Sequence, residues 1–389
     1  MRFLKELINK IDIKNIIFFS LLIRFLFLIF FDLPNFGDTQ THKQIGEEIF
    51  SGNIIFSSIH MPGYGIYMHI SNLLMKSNFG VIFFDIILSC STVYIIYQIS
   101  KKIFNDINIA KISAIIYSIY PFSIFFSLSS LNENLYIFLL FSSIWFFYNN
   151  KYLYGVIFII ISIYVKSISF FIAPILILSF LFFSKNYSSK NLLKYISIYI
   201  ITLTFLMTPW WIHNFKKYDT FIPTNLSYGY HLYSGNNEMN KTGGGIGGKD
   251  VSHKLILDSL EHDYFKADKV FKEHAYNYIK NNPMEFVGIT FTKLLRFWSF
   301  YPADEKYSNF FYKFTSIFSY GPIFFLSLIF IFFYSRNYIR EIIPLITTLF
   351  LFTAIYSLTI VSIRYRFPIE PILIILSSYS LKKILFSLK

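Results

Sequence analysis

Apolar stretches of about twenty residues, the length that crosses a lipid bilayer as a helix, recur along nearly the whole chain. Of its 389 residues, 54% are hydrophobic and only 15% are charged, whereas soluble domains are roughly one quarter charged. The sequence therefore predicts an all-α polytopic membrane protein in which residues 1–389 form a single integral membrane domain.

About ten segments fit a transmembrane helix by length and apolarity. They are 16–33, 79–99, 107–129, 135–148, 152–165, 168–184, a seventh that ends near 208–211, and then 315–334, 342–361 and 369–386. Two of them, 135–148 and 152–165, are short for a hydrocarbon core of about 30 Å, so totals from about eight to eleven also fit the pattern.

The positive charges predict how these segments are oriented. The net charge is +13, and most Lys and Arg residues lie in short clusters between apolar segments, as on the cytoplasmic side of membrane proteins. We therefore expect both termini in the cytoplasm, an uncleaved first segment and no binding of nucleic acid. Two polar regions are then external: the first loop, 34–77, and the large loop region, 211–311. We expect external juxtamembrane helices there, one of them in the amphipathic tract 283–298.

The first loop carries chemistry that an ordinary connector does not need. Asp38 follows Gly37 directly after the first segment, His42 and His60 come next, and residues 62–64 read Pro-Gly-Tyr. A carboxylate in this position can take the proton of an attacking hydroxyl as a general base. A helix cap or a surface salt bridge is the simpler interpretation, but the decorated loop favours catalysis, and Asp38 is the candidate base.

Two further acids are open to alternative interpretations. Glu133 falls in the turn before segment 135–148, on the same predicted face as Asp38, and is either a second catalytic carboxylate or a cap of that segment. Asp85 lies inside segment 79–99, where an acid is either functional or paired with a polar neighbour in the bundle.

Several cations depart from the cytoplasmic bias. Lys166, Arg364 and Arg366 lie at or just inside the predicted external boundary, while Lys293 and Arg296 lie in the amphipathic tract. Guanidinium groups bind phosphate oxygens bidentately, so a cluster of such cations suits a lipid-linked phosphate. Contact with ordinary anionic headgroups is the alternative for each of them.

A metal centre or other cofactor is not favoured. His42 and His60 could join Asp38 and Glu133 at a divalent metal, but no histidine spacing resembles a compact ligand motif. Cys90, the only cysteine, lies in an apolar segment and provides neither a disulfide framework nor a thiolate site.

The glycine-rich run 243–248 with Lys249 nearly matches a phosphate-binding P-loop. It has Asp250 where that motif needs a hydroxyl residue, no strand is predicted before it, and it falls in the external region, where ATP is scarce. We interpret it as a flexible loop.

Five motifs resemble those of the glycosyltransferase C superfamily, specifically its bacterial branch related to protein O-mannosyltransferases and aminoarabinose transferases. They lie in order across most of the chain: Gly-Asp to Pro-Gly-Tyr over 37–64, Tyr-Pro-Phe at 120–122 with Asn-Glu-Asn-Leu at 132–135, Pro-Trp-Trp-Ile-His-Asn at 209–214, the stretch 229–236, and Arg-Tyr-Arg-Phe-Pro at 364–368.

This resemblance implies a sugar donor on a polyprenyl phosphate and transfer with inversion to an acceptor hydroxyl on the external face. Asp38 would be the base, with Glu133 as a second catalytic candidate, and the lipid phosphate would be held by Arg364, Arg366 and Lys166. Substrate contacts are expected from other residues of these motifs: His42, His60, Tyr64, His213, Asn214 and Asn236.

Four positions depart from the family pattern: Thr39 where a second acid is frequent, His42 where a Tyr is frequent, His213 in place of Arg, and Met61 in place of a second Pro. They bear on the identity of sugar and acceptor more than on the reaction class. The acceptor is accordingly left open between a lipid, a glycan and a protein hydroxyl.

The expected partners are the lipid-linked donor, the acceptor and membrane lipids, in a bacterial inner membrane. A transporter or flippase for a lipid-linked or small anionic substrate is the alternative from another class. Transporters tend to have broken helices that meet near the bilayer midplane, and inverted repeats. Here the polar residues gather instead at one predicted face.

Overall fold

The structure is a computed structural model. It describes residues 6–387 except 7, 32, 35, 53–55, 184–188, 245–255, 259, 261–262, 304–306 and 308. Over these ranges every regular element is a helix and no strand occurs, which confirms the all-α prediction. Most of the glycine-rich run, from 245 onward, and the Lys249–Asp250 pair lie outside the described residues.

Helices follow one another with short connections in the first half of the chain. They are α1 (Ile13–Phe30), α2 (Gly37–Phe50), α3 (Gly63–Met75), α4 (Gly80–Phe104), α5 (Ile107–Ile119), α6 (Pro121–Ser127), α7 (Glu133–Tyr148), α8 (Tyr152–Val165) and α9 (Ser169–Phe182). In the second half they are α10 (Ser189–Tyr218), α11 (Tyr228–Gly235), α12 (Tyr264–Asn281), α13 (Pro283–Phe297), α14 (Phe310–Ile329), α15 (Ile339–Leu358), α16 (Ile363–Arg366) and α17 (Glu370–Ser387).

Five of the described helices are long and apolar enough to cross a membrane, or six if the bent pair α5–α6 counts as one span. The five lie in α1, α4, α10, the continuous helical stretch Phe310–Phe333, and Ser335–Leu358. Helices α7, α8 and α9 are apolar but shorter. These helices fit an integral membrane protein, while the predicted total of about ten spans is not reached by this measure.

The predicted third segment, 107–129, is broken in the structure at Tyr120. Tyr120 is extended (φ −65°, ψ 118°), Pro121 starts α6, and the two helices meet at 55°. Proline has no N–H to donate, and its ring disfavours the helical conformation in the residue before it. The break therefore leaves carbonyl groups near Tyr117 without the usual helical partners.

Arg24 of α1 fills this break. The side chain is fully buried, and its guanidinium donates to the Ser118 carbonyl (3.1 Å), to Ser123 Oγ (3.0 Å) and to Ser89 Oγ of α4 (3.0 Å). The Ser123 hydroxyl in turn donates to the Tyr117 carbonyl (2.7 Å). A buried arginine thus fastens α1 to α4 and to both halves of the broken helix, and each of its three guanidinium nitrogens is hydrogen-bonded.

Helices α2 and α3 form most of the first loop and cross at two glycines. A Cβ on Gly46 would lie 2.4 Å from the Gly65 carbonyl oxygen, and a Cβ on Gly65 would lie 2.6 Å from the His42 carbonyl oxygen. Only glycine permits this approach. The crossing therefore fixes where the first turn of α2, which carries Asp38, sits relative to the bundle.

The segment that leads into His60 is held by the last turn of α10 and by the residues that follow it. The Leu226 N–H donates to the Ser58 carbonyl (2.9 Å), the Asn225 side chain to the Ile59 carbonyl (2.8 Å), and Lys217 Nζ to the Phe56 carbonyl (2.6 Å). Helix α11 then packs on α12 around a small apolar core, with the Gly229 N–H bonded to Asp268 Oδ1 (2.7 Å).

Replacing Gly46 with alanine tests the importance of the α2–α3 crossing. The added Cβ forces the helices apart, so we expect Gly46→Ala to lower the free energy of unfolding by about 1–3 kcal/mol. Thermal unfolding in detergent measures the change. Gly37→Ala on the same helix is the matched control, because a Cβ there meets nothing within 4 Å. Equal melting temperatures for the two variants would contradict the role given to the crossing.

Candidate active site

Arg364 forms the centre of the candidate site. It lies on α16, whose start is capped by the Ser362 hydroxyl, which accepts from the Arg364 backbone N–H (3.3 Å). Its guanidinium donates from Nη1 to Asp38 Oδ2 (2.6 Å) and from Nε to Glu133 Oε1 (2.5 Å). The side chain thereby joins the first turn of α2 to the first turn of α7.

Lys166 completes a four-residue cluster with Arg364, Asp38 and Glu133, which we call the Arg364 cluster. Lys166 follows α8 in an extended conformation, and its Nζ donates to Glu133 Oε1 (2.7 Å), the oxygen that also accepts from Arg364. Two cations and two carboxylates therefore balance in formal charge. A shared carboxylate oxygen keeps the two cations close in spite of their repulsion.

The Arg364 cluster is buried at one end and open at the other. The exposed fraction of the side chain is 0% for Glu133 and 9% for Lys166, but 22% for Arg364 and 43% for Asp38. A molecule that approaches from solvent therefore meets Asp38 and one edge of Arg364 first.

Asp38 is an ionised carboxylate in the structure's electrostatic environment. Burial acts to raise the pKa of Asp38, but the charge of Arg364 and its hydrogen bond outweigh burial and leave that pKa below its usual value. The position of Asp38 in the first turn of α2 adds a favourable interaction with the helix N-terminus.

Two of the predicted histidines lie beside Asp38. The rings of His42 and His60 are 5.0 Å apart, and the Tyr64 ring meets His42 edge-on at 5.1 Å. Burial lowers the pKa of His42 to about 3 and also lowers the pKa of His60. Both imidazoles are therefore neutral near pH 7 and can donate or accept hydrogen bonds without adding charge.

A third histidine, His231 on α11, was not singled out from the sequence. Burial lowers the pKa of His231 to about 4, and the charges of Asp38, Lys166 and Arg364 also affect that pKa, so His231 lies within electrostatic range of the cluster. The stretch 229–236 belongs to a family-like motif, and that is the signal that could have drawn attention to it. A lone histidine on a short helix has no spacing pattern of its own.

Three buried polar atoms near the cluster have no hydrogen-bond partner among the described residues. They are His42 Nδ1, Asn132 Oδ1 and Glu133 Oε2. The other side of Asn132 is engaged weakly, since its amide lies 3.4 Å from both His42 Nε2 and the Val165 carbonyl. Unpaired buried polar atoms are costly unless a ligand or water satisfies them.

Asp85 and Tyr64 form a second polar group behind the histidines. The Tyr64 and Tyr67 hydroxyls donate to the two Asp85 carboxylate oxygens (3.1 and 3.0 Å), and the Asn134 amide donates to the Asp85 carbonyl (2.5 Å). Asp85 is thus paired with polar neighbours in the bundle, and it holds the Tyr64 ring under His42.

Arg366 does not join the Arg364 cluster. It is fully buried, its Nε donates to Glu370 Oε1 (2.7 Å), its guanidinium lies 3.6 Å from the centre of the Tyr320 ring, and Nη1 donates to the carbonyl groups of Phe297 and Ser299 (3.0 and 2.5 Å). These contacts tie α17 to the end of α13.

His213, Asn214 and Asn236 also have their observed partners elsewhere. His213 stacks on the Phe56 ring at 4.0 Å, and the Asn214 side chain accepts from Ser58 Oγ (2.9 Å), so both hold the segment before His60. Asn236 accepts from Lys293 Nζ (2.7 Å) at the far end of α11.

Throughout the described part of the chain, no group of three or more His, Cys, Asp or Glu side chains has the geometry to hold a metal ion. Within the Arg364 cluster, the carboxylate oxygens with assigned hydrogen bonds, Asp38 Oδ2 and Glu133 Oε1, are occupied by cationic donors rather than left open as ligands.

Comparisons with known proteins bear on the identity of this fold. A family model described as dolichyl-phosphate-mannose-protein mannosyltransferase matches residues 60–213. No curated protein matches the chain in sequence.

Among solved structures, the chain is similar to the oligosaccharyltransferase of Archaeoglobus fulgidus. The apo form matches with a TM-score of 0.59 at 14% identity, over 96% of this chain and 50% of that chain. The archaeal enzyme AglB from the same organism, in complex with an inhibitory peptide and a dolichol-phosphate, matches with a TM-score of 0.60 at 13% identity, over the same shares of 96% and 50%.

The chain thus spans about half the length of the oligosaccharyltransferase chains that it matches. At such low identity, the structural likeness shows a shared fold, while the family model is a likeness in sequence. These two matches confirm the resemblance that the motifs predicted, which is to the mannosyltransferase-type families of the glycosyltransferase C superfamily.

Proposed function

We propose that this protein is a membrane glycosyltransferase that moves a sugar from a polyprenyl-phosphate donor to an acceptor hydroxyl, with inversion and with Asp38 as general base. The observation that carries the proposal is the contact between Asp38 Oδ2 and Arg364 Nη1 (2.6 Å) at the open end of the cluster. It places a proton acceptor next to a group suited to bind phosphate. The reaction needs these two groups on either side of one sugar ring, where the acceptor attacks and the phosphate leaves.

The polyprenyl-phosphate donor is supported by chemistry and by the relatives. Arg364, at the open end of the cluster, is the cation that would contact a lipid phosphate, while Lys166 would add positive charge from the buried side. Arginine suits the geometry of phosphate oxygens. The matching family is described by a dolichyl-phosphate-mannose substrate, and one structural relative was solved with a dolichol-phosphate. The same relative holds a peptide, which makes a protein hydroxyl one of the acceptors to test beside lipids and glycans.

The proposed step is a single displacement at the anomeric carbon. The acceptor oxygen forms a bond to that carbon while the bond from the carbon to the phosphate oxygen breaks, and its electron pair leaves with the phosphate. Asp38 takes the proton of the acceptor hydroxyl, and Arg364 stabilises the charge that develops on the departing phosphate. Attack from the side opposite the leaving group inverts the configuration.

Glu133 acts in this proposal as a positioning residue rather than as a second base. Its side chain is fully buried, and one of its oxygens already accepts from both cations. A carboxylate held in this way has little tendency to take a proton, and its effect is to keep Arg364 and Lys166 side by side.

The uncharged polar groups around Asp38 suit a substrate rich in hydroxyl groups. His42, His60 and His231 would contact the sugar or the acceptor, since neutral imidazoles match hydroxyl groups as both donors and acceptors. The remaining predicted residues would act indirectly, by supporting those that contact the substrate. They are Tyr64 next to His42, His213 and Asn214 behind His60, Asn236 at the end of α11, and Arg366 at the end of α16.

We further propose that the whole chain, 1–389, works as one membrane domain with the loop 34–77 and the region 211–311 on the external face of a bacterial inner membrane.

Transfer of a radiolabelled sugar from a polyprenyl-phosphate donor by the purified protein tests the proposed function. Movement of the donor across a vesicle membrane without any transfer would support a flippase instead.

Asp38→Asn removes the proposed base while keeping the side chain's size. We expect the transfer rate to fall by about 10²–10⁴-fold, the range lost when a general base is removed. The rate is measured with the labelled donor under single-turnover conditions. Glu47→Gln, an exposed carboxylate on the same helix, is the control and should leave the rate unchanged. Full activity of Asp38→Asn would exclude Asp38 as the base.

The pH dependence of transfer tests whether the histidines work in the neutral form. His231→Asn should slow transfer by about 3- to 10-fold, the value of one lost hydrogen bond. Because the pKa of His231 is lowered to about 4, its ring does not change charge at higher pH. The ratio of wild-type to variant rates should therefore stay constant between about pH 5.5 and 7.5. A ratio that changes with a midpoint near pH 6.5 would show that a charged imidazole takes part.

Glu133→Gln tests the positioning role. It leaves Arg364 and Lys166 adjacent without a shared anion, and we expect a loss of about 3–5 kcal/mol in the free energy of unfolding. Adding Lys166→Met removes one of the two cations and should recover about 1 kcal/mol or more. Thermal unfolding measures both. A double variant no more stable than Glu133→Gln alone would show that the two side chains are not coupled.

A further inference from the structure

We propose that the carboxylate of Asp38 occupies the anion site on Arg364 that the donor's phosphate takes, so that binding of the donor displaces Asp38 and frees it to act as the base. This inference rests on the proposed function and adds an order of events to it. Without the donor, Asp38 is held in an ion pair with Arg364. With the donor bound, Arg364 pairs with the phosphate instead.

The two partners of Arg364 differ in how easily they can be replaced. Glu133 is fully buried and shares its Oε1 with Lys166 (2.7 Å), so an incoming anion cannot reach that side of the guanidinium. Asp38 is 43% exposed, and its contact with Nη1 lies at the open end of the cluster. Exchange is therefore confined to the Asp38 side, while Glu133 keeps the arginine in place through Nε.

The charges of the cluster point in the same direction. Asp38 and Glu133 already neutralise Arg364 and Lys166, so no cation of the cluster is in excess. A phosphodiester that joined the cluster without displacing a carboxylate would add an uncompensated negative charge at close range, which is unfavourable in a partly buried site. A phosphate also offers Arg364 the same two-oxygen geometry as a carboxylate, and can take its place.

Displacement also changes what Asp38 can do. A carboxylate paired with a guanidinium has its charge compensated and is a weak proton acceptor. Once released, Asp38 faces the neutral rings of His42 and His60, which do not replace the lost positive charge. Its affinity for a proton rises at the moment when the donor is in place, which couples donor binding to the proton transfer.

Binding of a sugar-free polyprenyl phosphate tests the exchange without any need for transfer. The dissociation constant is measured for the full chain in nanodiscs. If Asp38 competes with the phosphate, Asp38→Asn should bind the lipid phosphate about 5- to 10-fold more tightly than the wild type, since a charge-assisted hydrogen bond no longer has to be broken. Asp38→Ser serves the same purpose if the asparagine variant does not keep the wild-type melting temperature.

Glu47→Gln is the matched control for charge. It removes one carboxylate from the same helix, where Glu47 is 59% exposed and pairs with Lys43, and it should change the affinity by less than about twofold. Arg364→Met should abolish binding. If Glu47→Gln and Asp38→Asn bind the lipid phosphate equally more tightly than the wild type, the gain comes from the loss of any negative charge on the helix. That result would overturn the proposed exchange.

The outcomes separate this inference from the proposed function. If neither the wild type nor any variant binds the lipid phosphate, the polyprenyl-phosphate donor itself is wrong. If the wild type binds it and the Asp38 variants bind no more tightly, the donor stands and the exchange is overturned.

Discussion

The guanidinium of Arg364 holds together three parts of the chain that are distant in sequence. It contacts Asp38 across 326 residues and Glu133 across 231 residues. Burying Glu133 is tolerable only because two cations share its oxygen, and the resulting anchor is what lets Arg364 carry a second, exchangeable carboxylate at its open end. The difference in burial along this cluster therefore separates a fixed part, Glu133 and Lys166, from an exchangeable part, the contact of Arg364 with Asp38.

Much of the fold could be predicted from the pattern of apolar residues, because the bilayer imposes both the composition and the length of its helices. The segment 152–165 coincides with α8, and the amphipathic tract 283–298 is one residue longer than α13. The number of spans was harder to predict from the sequence, since hydropathy indicates the length and apolarity of a segment but not whether its helix is continuous. The break at Tyr120 depends on Pro121 and on Arg24, which is nearly one hundred residues away. The local sequence around Tyr120 contains the proline but not the arginine.

The candidate site could be predicted where position alone was informative. Four charged residues were each notable for their position at the predicted membrane boundary: Asp38, Glu133, Lys166 and Arg364. The pairing of these carboxylates and cations, however, exists only in the folded bundle. Arg366 was grouped with Arg364 because the two are close in sequence. Residues two apart on a helix do not face the same side, and Arg366 pairs with an acid four residues on.

The arginine of the first helix has a consequence for how the protein is made. The side-chain partners of Arg24 beyond α1 are 65 to 99 residues downstream, so they leave the ribosome well after α1 itself. An isolated arginine within a helix costs about 2.5–3.5 kcal/mol during insertion. Helix α1 is apolar enough to cross a membrane in spite of this cost, but Arg24 finds its partners outside α1 only when α4 and the α5–α6 pair arrive. The hydrogen bonds of this buried arginine can therefore be completed only after Ser123 has been synthesised.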